Sequence, residues 1–264
     1  MRVSMYTTIG PLQLQTFTFA LALAIIAGAG VGILRTDGPR GALVDVCLGA
    51  LVGGIIGARV GHVLLNWTYF SYNANEIMRI RSGGLDWHGA LLGGLAGLWI
   101  VTRWHRVSAT ALLDSLAPAL ALLAMAGWWG CGTSNCGFGA QVDTLANYPP
   151  LVVAELPDVY GIPAARYNTP LFGVGMGLLV LLLTLAPFWR GWLTGRRFWL
   201  VLALLSAGMF AIGFLRADYA LMVADLRADQ WLDGAVLAFS LLMLARRPGL
   251  QATNQRCKNV TPIW

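Results

Sequence analysis

Seven apolar runs, each close to the length needed to cross hydrocarbon, divide this chain at about residues 13–34, 43–66, 86–102, 110–130, 170–189, 197–215 and 231–246. A spanning helix takes roughly 20 such residues, because a helix rises about 1.5 Å per residue and a bilayer core is about 30 Å thick. Composition points the same way. Of 264 residues, 57% are hydrophobic and 11% charged, whereas a soluble domain carries roughly a quarter charged residues to cover its surface. The expectation is an all-α membrane protein. One seven-transmembrane-helix bundle occupies residues 1–250, with no second domain, and 251–264 form a polar cytoplasmic tail. The stretch 131–168 is too polar and too rich in proline and glycine to span, and reads as a small extracytoplasmic cap.

Seven spans put the termini on opposite sides, and arginine decides which is which. One set of loops holds Arg35, Arg40, Arg103, Arg106, Arg190, Arg196, Arg197, Arg246, Arg247, Arg256 and Lys258; the other holds only Arg2, Arg79, Arg81, Arg166, Arg216 and Arg227. Basic residues concentrate on the cytoplasmic side. The N-terminus is therefore expected outside, the C-terminus inside, and 131–168 on the outer face of a bacterial cytoplasmic (inner) membrane. The net charge of +6 lies in short loops between apolar runs and comes with no nucleic-acid-binding motif, so nucleic acid is not expected as a partner. The first run is longer than a signal-peptide core and is preceded by a single arginine, so it reads as a retained span.

Within the second run Gly49, Gly53, Gly57 and Gly61 recur every four residues and share one helix face, where a neighbouring backbone can approach closely. Gly93, Gly94 and Gly97 in the third run read the same way. Ionisable residues inside a span are costly and mark candidate functional positions. Arg59 lies roughly 10 Å below the outer end of the second run, where a guanidinium fork suits a lipid phosphate or its stem carries the charge up to the interface. His88 stands at the outer end of the third run as a candidate acid/base group. Arg216, followed by Asp218, closes the sixth. His62 and His105 read as interfacial or solvated, and Asp45 and Asp114, near helix starts, as structural. The chosen candidates all fall at the outer ends of their helices, which predicts one polar pocket there.

The fourth run ends in Gly127-Trp128-Trp129-Gly130-Cys131-Gly132-Thr133-Ser134-Asn135-Cys136-Gly137-Phe138-Gly139. On an oxidising face Cys131 and Cys136 could pair as a disulfide, do thiol redox work or remain free. Two thiolates are too few for a structural zinc site, and no metal or cofactor is expected.

The motifs resemble, in order, those of the prolipoprotein diacylglyceryl transferase family. Ile9-Gly10-Pro11-Leu12 is similar to the family's opening. Gly57-Ala58-Arg59-Val60-Gly61 resembles its G-A-R-x-G, Gly83 to Gly94 its G-G-x-x-x-H-G-G, and Asp114-Ser115-Leu116-Ala117-Pro118 its D-x-x-A-P; Arg216-Ala217-Asp218 also fits. The resemblance covers about residues 7–245. It implies a transferase that moves the diacylglyceryl group of phosphatidylglycerol to the thiol of a lipobox cysteine in a preprolipoprotein, with His88 as base and Arg59 and Arg216 handling the phospholipid.

The same resemblance exposes departures. By position, Trp128 replaces a family arginine, Cys131 and Ser134 two asparagines, Cys136 a glutamate, Gly173 a second glutamate and Phe17 a tyrosine. Tryptophan for arginine keeps bulk but removes a charge and five donors. Two other readings therefore stand beside the transferase: a non-catalytic lipid-binding subunit of a larger membrane complex, and an outer-face thiol redox protein using Cys131 and Cys136.

Overall fold

A computed structural model describes residues 6–9, 12–36, 39–80 and 83–246. The opening motif at Gly10 and Pro11, Arg2, Arg81, Arg247 and the tail with Arg256, Cys257 and Lys258 lie outside the described residues. Two short strands, β1 (Tyr6–Ile9) and β2 (Leu12–Gln15), pair antiparallel ahead of α1 (Thr16–Arg35). Then follow α2 (Arg40–Leu65), the single turn α3 (Trp67–Phe70), α4 (Trp87–His105) and α5 (Ala109–Thr133). A hairpin of β3 (Val153–Pro157) and β4 (Pro163–Tyr167) precedes α6 (Thr169–Trp189) and α7 (Arg197–Gly213). A last hairpin, β5 (Met222–Val223) and β6 (Leu226–Arg227), leads into α8 (Ala228–Ala245).

The described residues are thus mostly helical, with three two-stranded hairpins beside the helices. The first expected span loses its opening residues to β2, and Cys131, Gly132 and Thr133, expected in the cap, belong to the last turn of α5. Among the described residues five helices (α1, α2, α5, α6 and α8) are long and apolar enough to cross a membrane. Helix α7 is apolar but shorter, and α4 is diluted by its glycines and tryptophans and by Arg103 and His105 at its end. Large apolar side chains such as Ile26, Val52, Ile56, Leu179 and Leu182 point away from the core, the pattern of a bundle whose outer surface faces lipid. The core gathers on Leu43, Val46, Leu112, Val201, Leu202 and Leu205, all almost fully buried.

The closest helix pairing is α2 with α4, and glycine makes it possible. A methyl group on Gly53 would strike the carbonyl oxygen of Gly93, and one on Gly93 that of Gly53; Gly57 and Gly89 block each other in the same way, and one on Gly97 would strike the carbonyl oxygen of Gly49. The two backbones therefore touch directly, as the four-residue repeat predicted. Asp114 serves a neighbouring helix: its carboxylate accepts from the backbone N–H groups of Gly195 and Phe198 at the start of α7. Asp45 pairs with His105 at 2.9 Å, joining α2 to the far end of α4.

Candidate functional site

Helices α2, α5 and α7 finish, and α4, α6 and α8 begin, at one end of the bundle, and the singled-out residues lie there. Arg59 is buried, yet its guanidinium is bound on several sides. Its Nε donates to Ile77 O (2.7 Å), Nη1 to Gly83 O (2.9 Å) and Gly84 O (3.0 Å), and Nη2 to Glu76 O (2.6 Å). The stem carries the charge into the loop after α3, where carbonyl dipoles solvate it and the Phe70 ring lies 5.3 Å away. Gly84 is needed here: its φ of +79° is left-handed, and a side chain would strike His62 and Arg59. Four of the five guanidinium N–H donors are thus committed to main-chain oxygens.

His88 is placed by the start of α4. Asp86 caps that helix, its Oδ2 accepting from Gly89 N at 2.6 Å, and its own N–H donates to Ala58 O on α2 (2.9 Å). Two residues on, the His88 ring is 3% exposed. Its Nε2 lies 2.9 Å from Asp233 Oδ1 on α8. The Trp87 indole N–H sits 2.9 Å from the same nitrogen and 3.4 Å from the same oxygen. His88 Nδ1 has no hydrogen-bond partner among the described residues, and Asp86 Oδ1 is 3.6 Å from it.

Arg216, just past α7, is held by two carboxylates: Nε meets Asp218 Oδ1 at 2.8 Å and Nη1 meets Asp229 Oδ2 at 2.9 Å. Arg227 bonds the same pair, with Nε 3.0 Å from Asp229 Oδ1 and Nη2 3.4 Å from Asp218 Oδ2. Two cations and two anions form a closed, neutral square. Burial works against the charge on Arg216, and the Asp218 and Asp229 carboxylates more than offset it, so its pKa is raised above the usual arginine value. The segment after α5 fixes this corner through main-chain bonds, Ala140 N to Leu215 O (2.8 Å) and Ala217 N to Phe138 O (3.0 Å).

Cys131 and Cys136 are joined as a disulfide, closing the end of α5. Beneath it Trp128 is buried, its ring 5.7 Å from the Arg216 guanidinium carbon. On its other side the ring fills the place where a side chain at Gly173 would stand. Phe17 lies in the same way over Gly130. Trp128 and Gly173 are therefore packed against one another.

His88 and Arg216 come together through α8, where Asp233 and Asp229, one turn apart, hold one each. No hydrogen bond or ion pair among the described residues joins Arg59 to either; its link is the chain itself, since the Gly83–Gly84 carbonyls that bind it lead directly into Asp86 and His88. A cavity of about 450 Å³ lies at the opposite end of α4, lined by Thr102, Arg103, Arg106 and Val107. Sequence reasoning missed Asp233, Asp229 and Arg227. Asp233 could have been found by the rule that singled out Arg59, since it is an ionisable residue inside an apolar run.

The family model for prolipoprotein diacylglyceryl transferase matches residues 4–246. Among curated relatives, the phosphatidylglycerol–prolipoprotein diacylglyceryl transferase of Clostridium novyi is 27% identical over 77% of this chain and 79% of its own length. The protein of the same name from Lysinibacillus sphaericus is 30% identical over 73% and 71%. That from Streptococcus suis is 29% identical over 78% and 76%.

Proposed function

Because the chain belongs to the prolipoprotein diacylglyceryl transferase family, we propose that it is a membrane transferase that moves the diacylglyceryl group of phosphatidylglycerol to a lipobox cysteine thiol. In this reading the thiol gives its proton to His88. The thiolate attacks the glyceryl carbon, the carbon–oxygen bond to phosphate breaks, and glycerol phosphate leaves with the electron pair. The imidazolium stays between Asp233 and Asp86 until it releases its proton to the departing phosphate. Arg59 contributes positive charge that carbonyl dipoles solvate and that no carboxylate among the described residues pairs with, and Arg216 stands beside the His88–Asp233 pair. Charge placed where an anion develops is the largest catalytic resource of such a site.

The reading also includes seven spans, with α4 and α7 crossing alongside α1, α2, α5, α6 and α8. The 134–168 segment and its hairpin face outward, and the N-terminus lies outside. The arginine distribution and the gathering of chemistry at one end of the bundle support it.

The observation that carries the proposal is the buried imidazole held between two carboxylates at the end where α2, α4, α7 and α8 meet. Complementation is the test. Cells depleted of their housekeeping transferase are expected to grow when this protein is expressed and inserted, and to stop growing with His88→Ala. An inserted wild-type chain that supports no growth would sink the transferase.

One observation favours a second reading, a lipid-binding subunit without the reaction. Arg216 is already neutralised by two aspartates, and Trp128 stands where the family has an arginine. Stoichiometric co-purification with partner membrane proteins, unchanged by His88→Ala, would support that reading instead.

A further inference from the structure

The sequence points to His88 but cannot say which ring nitrogen acts. Asp233 Oδ1 and the Trp87 indole N–H both lie 2.9 Å from or close to the same nitrogen, Nε2. They make opposite demands. An indole N–H can only donate and asks Nε2 to be a bare lone pair; an ionised carboxylate can only accept and asks it to carry a proton. Both requests cannot be met at once. The charged acceptor makes the stronger bond. Trp87 also has an alternative, because Asp233 Oδ1 is 3.4 Å from its N–H. A proton on Nε2 satisfies all three groups: Nε2–H donates to Asp233, and the indole turns its N–H to the same carboxylate. A bare Nε2 would instead set two lone pairs against each other 2.9 Å apart.

The other nitrogen tells the same story. His88 Nδ1 is buried and makes no hydrogen bond among the described residues. It can gain or lose a proton without breaking a bond described there, and Asp86 Oδ1, 3.6 Å away, is placed to stabilise the charge that follows. The charged groups facing the ring are Asp86 from its own helix start and Asp233 and Asp229 from α8, with Arg216 behind them.

We propose that Asp233 is a positioning residue that, with Trp87, keeps the proton of His88 on Nε2 in both charge states, so that Nδ1 is the nitrogen that accepts the substrate thiol's proton. This rests on the transferase reading for the identity of the proton donor. The assignment of the two nitrogens stands independently of it.

The chain contains only three histidines, so the protein labelled with ¹⁵N-histidine in detergent micelles or nanodiscs gives a spectrum that can be assigned by His62→Gln and His105→Gln. Between pH 6 and pH 10, Nδ1 of His88 is expected to move from the protonated to the bare-nitrogen range while Nε2 stays protonated. Loss of the proton from Nε2, or from neither nitrogen by pH 10, overturns the proposal. In Asp233→Asn the carboxamide can donate to Nε2, and the proton moves to Nδ1 in the same spectrum. Transfer to a lipobox peptide is then expected to fall about a hundredfold in kcat, with KM for phosphatidylglycerol within about threefold. A kcat equal to wild type with the proton moved would refute the role of Asp233 in transfer. Should Asp233→Asn fail to fold, the wild-type titration decides alone. A wild type that titrates as described but transfers nothing would count against the transferase and leave the nitrogen assignment intact.

Discussion

Arg59 and Trp128 are the residues whose surroundings differ most from what their sequence positions suggest. An arginine inside an apolar run invites an anion as its partner, yet this one is folded around by four carbonyl groups of a single loop. Lysine keeps the charge but cannot reach four acceptors in a fork. Arg59→Lys is therefore expected to destabilise by about 3 kcal/mol, as buried carbonyls lose a charged donor. Thermal unfolding in detergent measures it; an unchanged melting temperature would refute the pinning role. Trp128 and Gly173 form a lock of another kind. A methyl group at Gly173 meets the indole ring, so Gly173→Ala is expected to cost about 2 kcal/mol by overpacking. In a Trp128→Leu background the same change should be close to neutral. A double-mutant cycle on unfolding checks this, and additive effects would mean that the two residues do not share the slot. Neither relation was legible in the sequence. A bulky residue at 128 and a small one at 173 are 45 positions apart, and nothing in local pattern couples them.

The α2–α4 pair is the element on which the site depends, because it carries Arg59 on one helix and His88 on the other. Its geometry was readable in advance. Glycine every fourth residue lies on one face whatever the neighbours are, so periodicity alone forecast the close approach, and the reciprocal blocking of Gly53 and Gly93 is its outcome. The element also offers an internal contrast. A methyl group on Gly94 meets nothing nearer than 3.4 Å, whereas one on Gly93 is driven into backbone that cannot rotate away. Gly93→Ala is accordingly expected to lower stability by about 3 kcal/mol and to reduce activity, while Gly94→Ala changes each by little. Equal tolerance of both substitutions, read as yield of folded protein and unfolding midpoint, would mean that the backbones are not in contact. Less legible were the elements joined by side chains. The role of Asp114 at the start of α7 depends on a helix 81 residues away. Asp229 lies just before the last apolar run and reads as loop chemistry until the fold sets it one turn from Asp233 on α8, beside Arg216.

For the whole molecule, the question is which way the bundle stands in the membrane, since a phospholipid headgroup and a lipobox thiol must both reach the end that holds His88. The arginine count answers from physics that acts during insertion: basic loops stay cytoplasmic, and the end of the bundle with Arg35, Arg103, Arg190 and Arg246 holds more of them than the end with Arg166, Arg216 and Arg227. The fold supplies two well-exposed reporters for a direct test. Tyr160, 84% exposed, lies in the hairpin connection between β3 and β4, and Trp104, 83% exposed, lies at the far end of α4. Cys131 and Cys136 are joined to each other, leaving Cys47 and Cys257 to be replaced by serine. In that background Tyr160→Cys is expected to react with a membrane-impermeant maleimide in intact spheroplasts, and Trp104→Cys only after lysis. The opposite pattern would place His88, Asp233 and Arg216 on the cytoplasmic side. Labelling of both before lysis would show that α5, the helix between the two reporters, does not cross.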